Sequence, residues 1–347
     1  MQTEQKIFTL NSNSTKKLIT SESVQLVVTS PPYPMIEMWD ECFCSQKKNV
    51  KTALNTGKYE SAFEEMHSML VATWEDVDRL LTPGGLVCIN IGDATRNCNG
   101  QFKLFSNHTR IINKFLSMNY DILPDIHWHK PTNAPNKFMG SGMYPPCAYV
   151  TYEHEYVLIF RKGPNRKFSD SNKENRHQSA YFWEERNIWF SDLWELKGIG
   201  QKLSKSTSRE RSAAFPFELA FRLINMYSLK GDTIYDPFCG TGTVAKAAIA
   251  SERNSIGTDI DKKLCQQATS NLIDSQDELN KYIKNRIFRH NQFIDSIPTE
   301  KKNKLYECAN HAFKVKTKQE TEISISLIKS IELLNNTIIS KYEKADA

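Results

Sequence analysis

The sequence predicts an α/β fold: a mostly parallel, twisted sheet flanked by helices. Three observations carry this. Thr233-Ile234-Tyr235 are β-formers, Asp236-Pro237-Phe238-Cys239-Gly240-Thr241-Gly242-Thr243 is a glycine turn, and residues 244–250 read as a helix. A second short strand, residues 255–258, ends at Asp259. That acid lies about 20 residues past the turn, the separation of a ribose-binding carboxylate in a βαβ nucleotide site. Far upstream, residues 24–29 form a run of strand length that suits the buried centre of a parallel sheet.

Taken in order, residues 1–23 are polar, with a turn-like cluster at Asn11-Ser12-Asn13-Ser14 and a short helix expected at Lys17-Leu18-Ile19. The strand of residues 24–29 stops at Ser30-Pro31-Pro32-Tyr33-Pro34. Prolines stiffen that loop and remove N–H donors while leaving carbonyl acceptors. Tyr33 adds a flat apolar face with a polar tip. Ligands of open α/β sheets bind beyond the carboxyl ends of strands, so this loop stands where chemistry happens.

Residues 34–60 show no periodicity and suit a mobile loop over the site, with Lys47, Lys48 and Lys51 facing solvent. Phe63, Met66, Leu70, Trp74, Val77 and Leu81 recur every three or four residues, one apolar helix face for the core. Thr82-Pro83-Gly84-Gly85 ends it, and residues 86–91 make the next strand. Asp93 either meets a ligand or caps the next segment, with a helix expected over residues 109–118. Residues 131–148 read as loop and residues 154–160 as strand.

From Arg161 to Arg211 there are twelve Lys/Arg and seven acids, a basic excess equal to the +5 of the whole chain. Aromatic residues are interleaved with them. Cations find phosphates and rings stack or wedge, so this window suits nucleic acid. Its candidate DNA contacts are Arg161, Lys162, Arg166, Lys167, Arg176, Tyr181 and Trp183. Phe215-Pro216 then opens a helix, with Pro216 in its first turn. Beyond Asp259, Cys265, Ala268 and Leu272 mark another helix. Ile323, Leu327, Ile331, Leu334 and Ile338 recur at helical spacing in the tail.

No apolar run reaches membrane-spanning length, and no signal-peptide pattern opens the chain. The eight cysteines lack paired metal spacing, and His127, His129 and His154 are not at ligand spacing, so no metal is expected. Inert thiols suit a reducing cytoplasm.

Taken alone, Gly240, Gly242 and Ala245 also fit the dinucleotide pattern G-x-G-x-x-A, which keeps a nicotinamide dehydrogenase open. That reading leaves Ser30-Pro31-Pro32-Tyr33 unexplained. Together the two stretches resemble S-adenosylmethionine-dependent DNA amino-methyltransferases of the beta class, in which the catalytic motif precedes the cofactor motif. The resemblance covers roughly residues 20–275. It implies a Rossmann-like methyltransferase fold with circularly permuted motif order.

It also implies roles. Ser30, Pro31, Pro32 and Tyr33 correspond to the catalytic tetrapeptide. Asp236, Pro237, Phe238, Gly240, Gly242 and Thr243 would hold S-adenosyl-L-methionine, Asp259 its ribose, and Phe215 and Pro216 its methionine end. The partner would be double-stranded DNA, in a prokaryotic cytoplasm, with a cognate restriction endonuclease in the same system. Serine at the first tetrapeptide position is, in this family, more typical of cytosine N4 than of adenine N6. Asn11-Ser12 stands where many relatives carry Gly-Asp.

The domain layout expected is a catalytic half over residues 1–160, a target-recognition region over 161–211, a cofactor half over 212–275 and a helical extension over 276–347. The alternative from another class is a nucleic-acid-binding protein that keeps this fold without activity. Its mark would be loss of Ser30, Tyr33 or the glycines, and all are present.

Overall fold

The computed structural model describes residues 1–130, 139–198 and 215–345. Strands β1 (Gln2–Thr9) and β2 (Val24–Thr29) precede helices α1 (Asp40–Gln46), α2 (Lys48–Asn55) and α3 (Tyr59–Leu80). Next come β3 (Leu81–Ile91), the hairpin β4 (Ala94–Cys98) and β5 (Gln101–Phe105), then α4 (Asn107–Ser117). β6 (Tyr120–His129), the short pair β7 (Met139–Gly140) and β8 (Ala148–Tyr149), and β9 (His154–Lys162) follow. A middle segment holds α5 (Asp170–Gln178), α6 (Trp183–Trp189) and β10 (Leu193–Glu195). The glycine turn lies within α7 (Phe217–Tyr227), β11 (Thr233–Asp236), α8 (Thr243–Ala250), β12 (Asn254–Asp259) and α9 (Lys262–Ile273). Finally come α10 (Gln276–Ser296), the pair β13 (Tyr306–Glu307) and β14 (Lys314–Val315), and the strands β15 (Ser326–Leu334) and β16 (Thr337–Lys344).

One ten-stranded sheet runs in the order β10-β6-β9-β3-β2-β11-β12-β1-β16-β15. Only β9 and β16 oppose the direction of the others. β2 shows why its run is apolar: Leu26 and Val28 pack with Leu219 and Leu223 of α7, while Val27 packs on the other face with Leu70 and Trp74 of α3. A strand covered on both faces has little room for polar side chains. The expected strands at 24–29, 154–160, 233–235 and 255–258 and the helices at 63–81, 109–118 and 244–250 all form, within a few residues of those bounds.

Four expectations are corrected. First, the polar N-terminus contains β1, between β12 and β16. Its inward residues are Thr3 and Gln5, 1% and 0% exposed. They are tolerated because Gln5 Nε2 donates to Thr3 Oγ1 and the Arg253 carbonyl, and Gln5 Oε1 accepts from Ser340. Second, Lys17-Leu18-Ile19 forms a turn rather than a helix.

Third, the region of residues 34–60 is not loop but a 3₁₀ turn (Glu37–Trp39) followed by α1 and α2, held by buried Trp39, Phe43 and Val50. Fourth, beyond α10 the described residues of the extension hold only two short 3₁₀ helices among strands. Of the repeating apolar residues, Ile323 precedes β15 and the rest lie on the β15–β16 hairpin. Within that series Ile331 and Ile338 are buried while Leu334 is 52% exposed, so the three- and four-residue spacing marks no single apolar face. The hairpin turn is Asn335-Asn336, both at positive φ (48° and 62°), as a two-residue type I′ turn requires. No helix among the described residues is long and apolar enough to cross a membrane.

Candidate active site

β2 and β11 are parallel sheet neighbours, with Val27 opposite Tyr235. Their carboxyl tips therefore meet, although 207 residues separate Thr29 from Asp236. Thr29 Oγ1 donates to Asp236 Oδ1 at 2.6 Å, and Phe238 N donates to the same oxygen at 3.1 Å. Burial pushes the Asp236 carboxyl up to about 7, and the two hydrogen bonds only partly offset it.

That shift has a sign. Between the ordinary value of 3.8 and about 7, the folded state keeps a proton that the unfolded chain has released. Asp236 therefore lowers stability progressively as pH rises through that window, by a total on the order of 4 kcal/mol. Asp236→Asn keeps an acceptor for both donors and should flatten this slope. Urea unfolding of both proteins at pH 5 and pH 8 checks it. Equal pH dependence in the two would show that Asp236 ionises normally.

Beyond the tips opens a cavity of about 330 Å³. The glycine turn lines it with Asp236, Pro237, Phe238, Gly240 and Thr241, and Thr243 does so from the start of α8. Asp259 and Ile260 line it from the tip of β12, Ser30 and Pro32 from the tip of β2, and Phe215 from before α7. The two distant motifs thus share one crevice.

The glycines divide the work. Gly240 has φ +49°, and a Cβ there would meet nothing within 4 Å, so a ligand can approach its backbone. At Gly242, φ +86°, a Cβ would stand 3.1 Å from Ala268 Cβ of α9, so this glycine serves close helix packing instead. Asp259 shapes the turn: its Oδ2 accepts from Gly240 N at 3.0 Å and its Oδ1 from Asp261 N at 2.9 Å. Pro216 does not line the cavity; it is the N-cap of α7.

Sequence reasoning missed part of this lining. Asn11, Ser12 and Asn13 reach the cavity from the turn after β1, and Trp39, Phe43, Gln46 and Lys47 reach it from the region of residues 34–60. Ser12 is anchored through its hydroxyl to Thr73 of α3 at 2.8 Å. The i, i+4 pair Trp39 and Phe43 was the available signal for that helix.

Behind Ser30 lies a polar cluster. Tyr33 is 5% exposed, and its hydroxyl donates to Glu155 Oε2 at 2.8 Å. Asn90 Nδ2 donates to Tyr33 Oη at 2.8 Å and to Glu155 Oε2 at 2.6 Å, and Ser30 Oγ lies 3.1 Å from Tyr33 Oη. Lys130 Nζ pairs with Glu155 Oε1. Burial and the Glu155 charge hold the Tyr33 phenol well above its ordinary range, so it keeps its proton. Asp93 takes the capping role: its Oδ1 accepts from His108 N in the first turn of α4 at 3.1 Å.

The basic window is described only in part. Register places its first residues at the sheet edge opposite the crevice, since Arg161 lies against Leu86 while Tyr156 lies against Ile91. There Arg161 pairs with Asp121, Lys162 with Asp78, and Arg166 with both oxygens of Asp232. Lys167 follows, exposed, and Arg176 lies over Phe168 at 4.8 Å. Tyr181 packs on Trp189 and Phe190, and Trp183 stacks on Phe293 of α10. Arg161, Lys162 and Arg166 are thus held by carboxylates, whereas Lys167 and Arg176 remain exposed. Lys202, Lys205, Arg209 and Arg211 lie outside the described residues.

Known proteins resemble this chain over most of its length. A family model described as DNA methylase (N6/N4) matches residues 24–270. The Type II methyltransferase M.MthZI of Methanothermobacter thermautotrophicus is 44% identical over 339 residues, covering 97% of this chain and 94% of that protein. M.MjaI of Methanocaldococcus jannaschii, also a Type II methyltransferase, is 51% identical over 261 residues, covering 71% and 84%. TTHA0409 of Thermus thermophilus, described as a DNA modification methylase and solved with S-adenosyl-L-methionine, superposes with a TM-score of 0.59 at 28% identity, covering 77% and 94%. The cytosine-N4-specific PvuII DNA methyltransferase shares the fold, with a TM-score of 0.56 at 16% identity over 80% and 91%. With the family match spanning both strand tips and a relative alike over nearly its whole length, the chain belongs to the N6/N4 DNA methylase family.

Proposed function

We propose that this chain transfers a methyl group from S-adenosyl-L-methionine to the exocyclic N4 of a cytosine flipped out of duplex DNA. The observation that carries this is the single cavity lined by both Ser30 and Gly240. The lining fits the cofactor. Gly240 leaves room against its backbone, Asp259 offers a carboxylate at the ribose position, and Phe238, Ile260 and Leu264 offer apolar surface for a base. TTHA0409 was solved with the same cofactor. When bound, S-adenosyl-L-methionine supplies an electrophilic methyl carbon on a sulfonium.

The chain's own residues prepare the amine. Its lone pair is delocalised into the ring, so it is a poor nucleophile. Ser30 Oγ and the Pro31 carbonyl accept hydrogen bonds from its N–H groups, which favours a pyramidal nitrogen and draws off charge as the bond forms. Tyr33, buried behind Ser30 and outside the cavity lining, backs that serine, and transfer needs the base at near-attack distance, roughly 3–3.5 Å. Serine at position 30 is what favours cytosine N4, by family resemblance. Nucleoside mass spectrometry of DNA from an expressing host should find N4-methylcytosine. N6-methyladenine instead would overturn the base assignment while leaving the family intact.

DNA contact is assigned to the crevice edge, where β6 ends and β9 begins. Two features support this. Phe102 of the β4–β5 hairpin stacks on Tyr149 at 4.5 Å, and Met143, Tyr144 and Val150 are 83%, 78% and 86% exposed. Such apolar tips suit insertion between base steps. Met143→Ala/Tyr144→Ala should raise the KM for DNA about ten-fold with cofactor affinity unchanged. An unaltered KM would remove this surface from the interface. A cognate restriction endonuclease is the proposed companion, because the relatives over most of the chain are Type II methyltransferases.

A further inference from the structure

The Ser30 hydroxyl has one proton to give, and its surroundings decide where that proton points. Three groups converge on Tyr33 Oη: Glu155 Oε2 at 2.8 Å, Asn90 Nδ2 at 2.8 Å and Ser30 Oγ at 3.1 Å. A carboxylate only accepts, and an amide nitrogen only donates. The opposite orientation of the Asn90 amide is disfavoured, since Asn90 Nδ2 also lies 2.6 Å from Glu155 Oε2 and the swap would set two acceptors together. The single Tyr33 proton therefore goes to Glu155, and the Asn90 amide fills one lone pair of the phenol oxygen. Ser30 is left as the donor in its contact with Tyr33. Its oxygen then offers the cavity lone pairs only.

We propose that Glu155 is a positioning residue for methyl transfer: through Tyr33 it holds the Ser30 hydroxyl as a fixed acceptor for the amine of the extruded base. This deepens the reading of Ser30 given above and rests on it. A serine free to rotate would present its own proton to the amine hydrogens in part of its conformations, a repulsive arrangement. A hydrogen-bond chain ending in a carboxylate removes that state and strengthens the Ser30 oxygen as an acceptor while charge develops on nitrogen. Lys130 holds the far oxygen of Glu155, so the carboxylate is fixed from both sides. Asn90, 2% exposed, fixes the phenol oxygen. The raised Tyr33 phenol stays protonated and so remains the donor to Glu155 across the working pH range.

The test compares wild type, Tyr33→Phe, Glu155→Gln and the double variant. Single-turnover transfer from tritiated S-adenosyl-L-methionine to unmethylated genomic DNA is measured, together with S-adenosylhomocysteine affinity. Each single variant should lose about 10- to 100-fold in rate, the worth of a hydrogen bond to a charged group, with affinity unchanged. The double variant should be no slower than the slower single one, because both cut the same chain. Glu155→Gln should also add nothing in a Ser30→Ala background, whereas a residue supporting only the fold would slow that background further. Losses that multiply, further slowing in Ser30→Ala, or a wild-type rate in Glu155→Gln overturns the proposal. A wild-type chain that methylates no base overturns the proposed function instead.

Discussion

Replacing Ser30 with alanine is expected to slow single-turnover methyl transfer by about 10²- to 10³-fold, the usual consequence of removing one preorganised hydrogen-bond partner from a reacting centre. The cavity should otherwise survive. Ser30 is half-buried at the end of β2, and deleting its hydroxyl leaves no charge stranded. Tyr33 Oη still bonds to Glu155 and Asn90. S-adenosylhomocysteine should bind the variant as it binds wild type, and the unfolding midpoint should hold. This separates Ser30→Ala from Tyr33→Ala, which would also empty a core position and lower stability by roughly 3–5 kcal/mol. A Ser30→Ala enzyme that transfers at the wild-type rate would end the case for Ser30 as the amine acceptor.

The second large effect is expected at Asp259. Its carboxylate ties down Gly240 N and Asp261 N and lines the cavity. Asp259→Ala removes a partner for the ribose and frees the turn that the ligand must approach. Loss of a charged hydrogen-bond acceptor is worth about 1.5–3 kcal/mol. Calorimetric titration with S-adenosylhomocysteine should therefore show affinity reduced by about 10- to 150-fold. Asp259→Asn preserves shape and one acceptor and should fall between the two. Cofactor affinity unchanged in Asp259→Ala would place the ribose elsewhere in the crevice. Together the two variants should separate cleanly, Ser30 acting on rate and Asp259 on binding.

Much of the architecture was written in short windows of sequence. The run at β2, the stripe of α3 and the strand, turn and helix around Gly240 each follow from local periodicity or backbone demand. Three features were hidden by different causes. β1 was illegible because its buried face is Thr3 and Gln5, whose cost is met by partners at Arg253 and Ser340 far along the chain. The β15–β16 hairpin imitated a helix because apolar residues of two strands happen to fall three or four positions apart, although Asn335-Asn336 marked the turn. In the basic aromatic window, composition counts charges and cannot see that Asp121, Asp78 and Asp232 already pair with three of them.

By itself the sequence determined the chemistry on offer: a proline-stiffened strand tip carrying Ser30 and Tyr33, a glycine turn, and an acid at the correct distance from it. Tertiary structure decided which of those groups face one another. Sheet order, set by burial across the whole chain, makes β2 and β11 neighbours and closes the shared cavity. The same order delivers Asn90 and Glu155 from two further strands to the Tyr33 hydroxyl. Hydrogen-bond direction depends on every partner within about 3 Å, and those partners come from separate strands. No local pattern encodes that meeting.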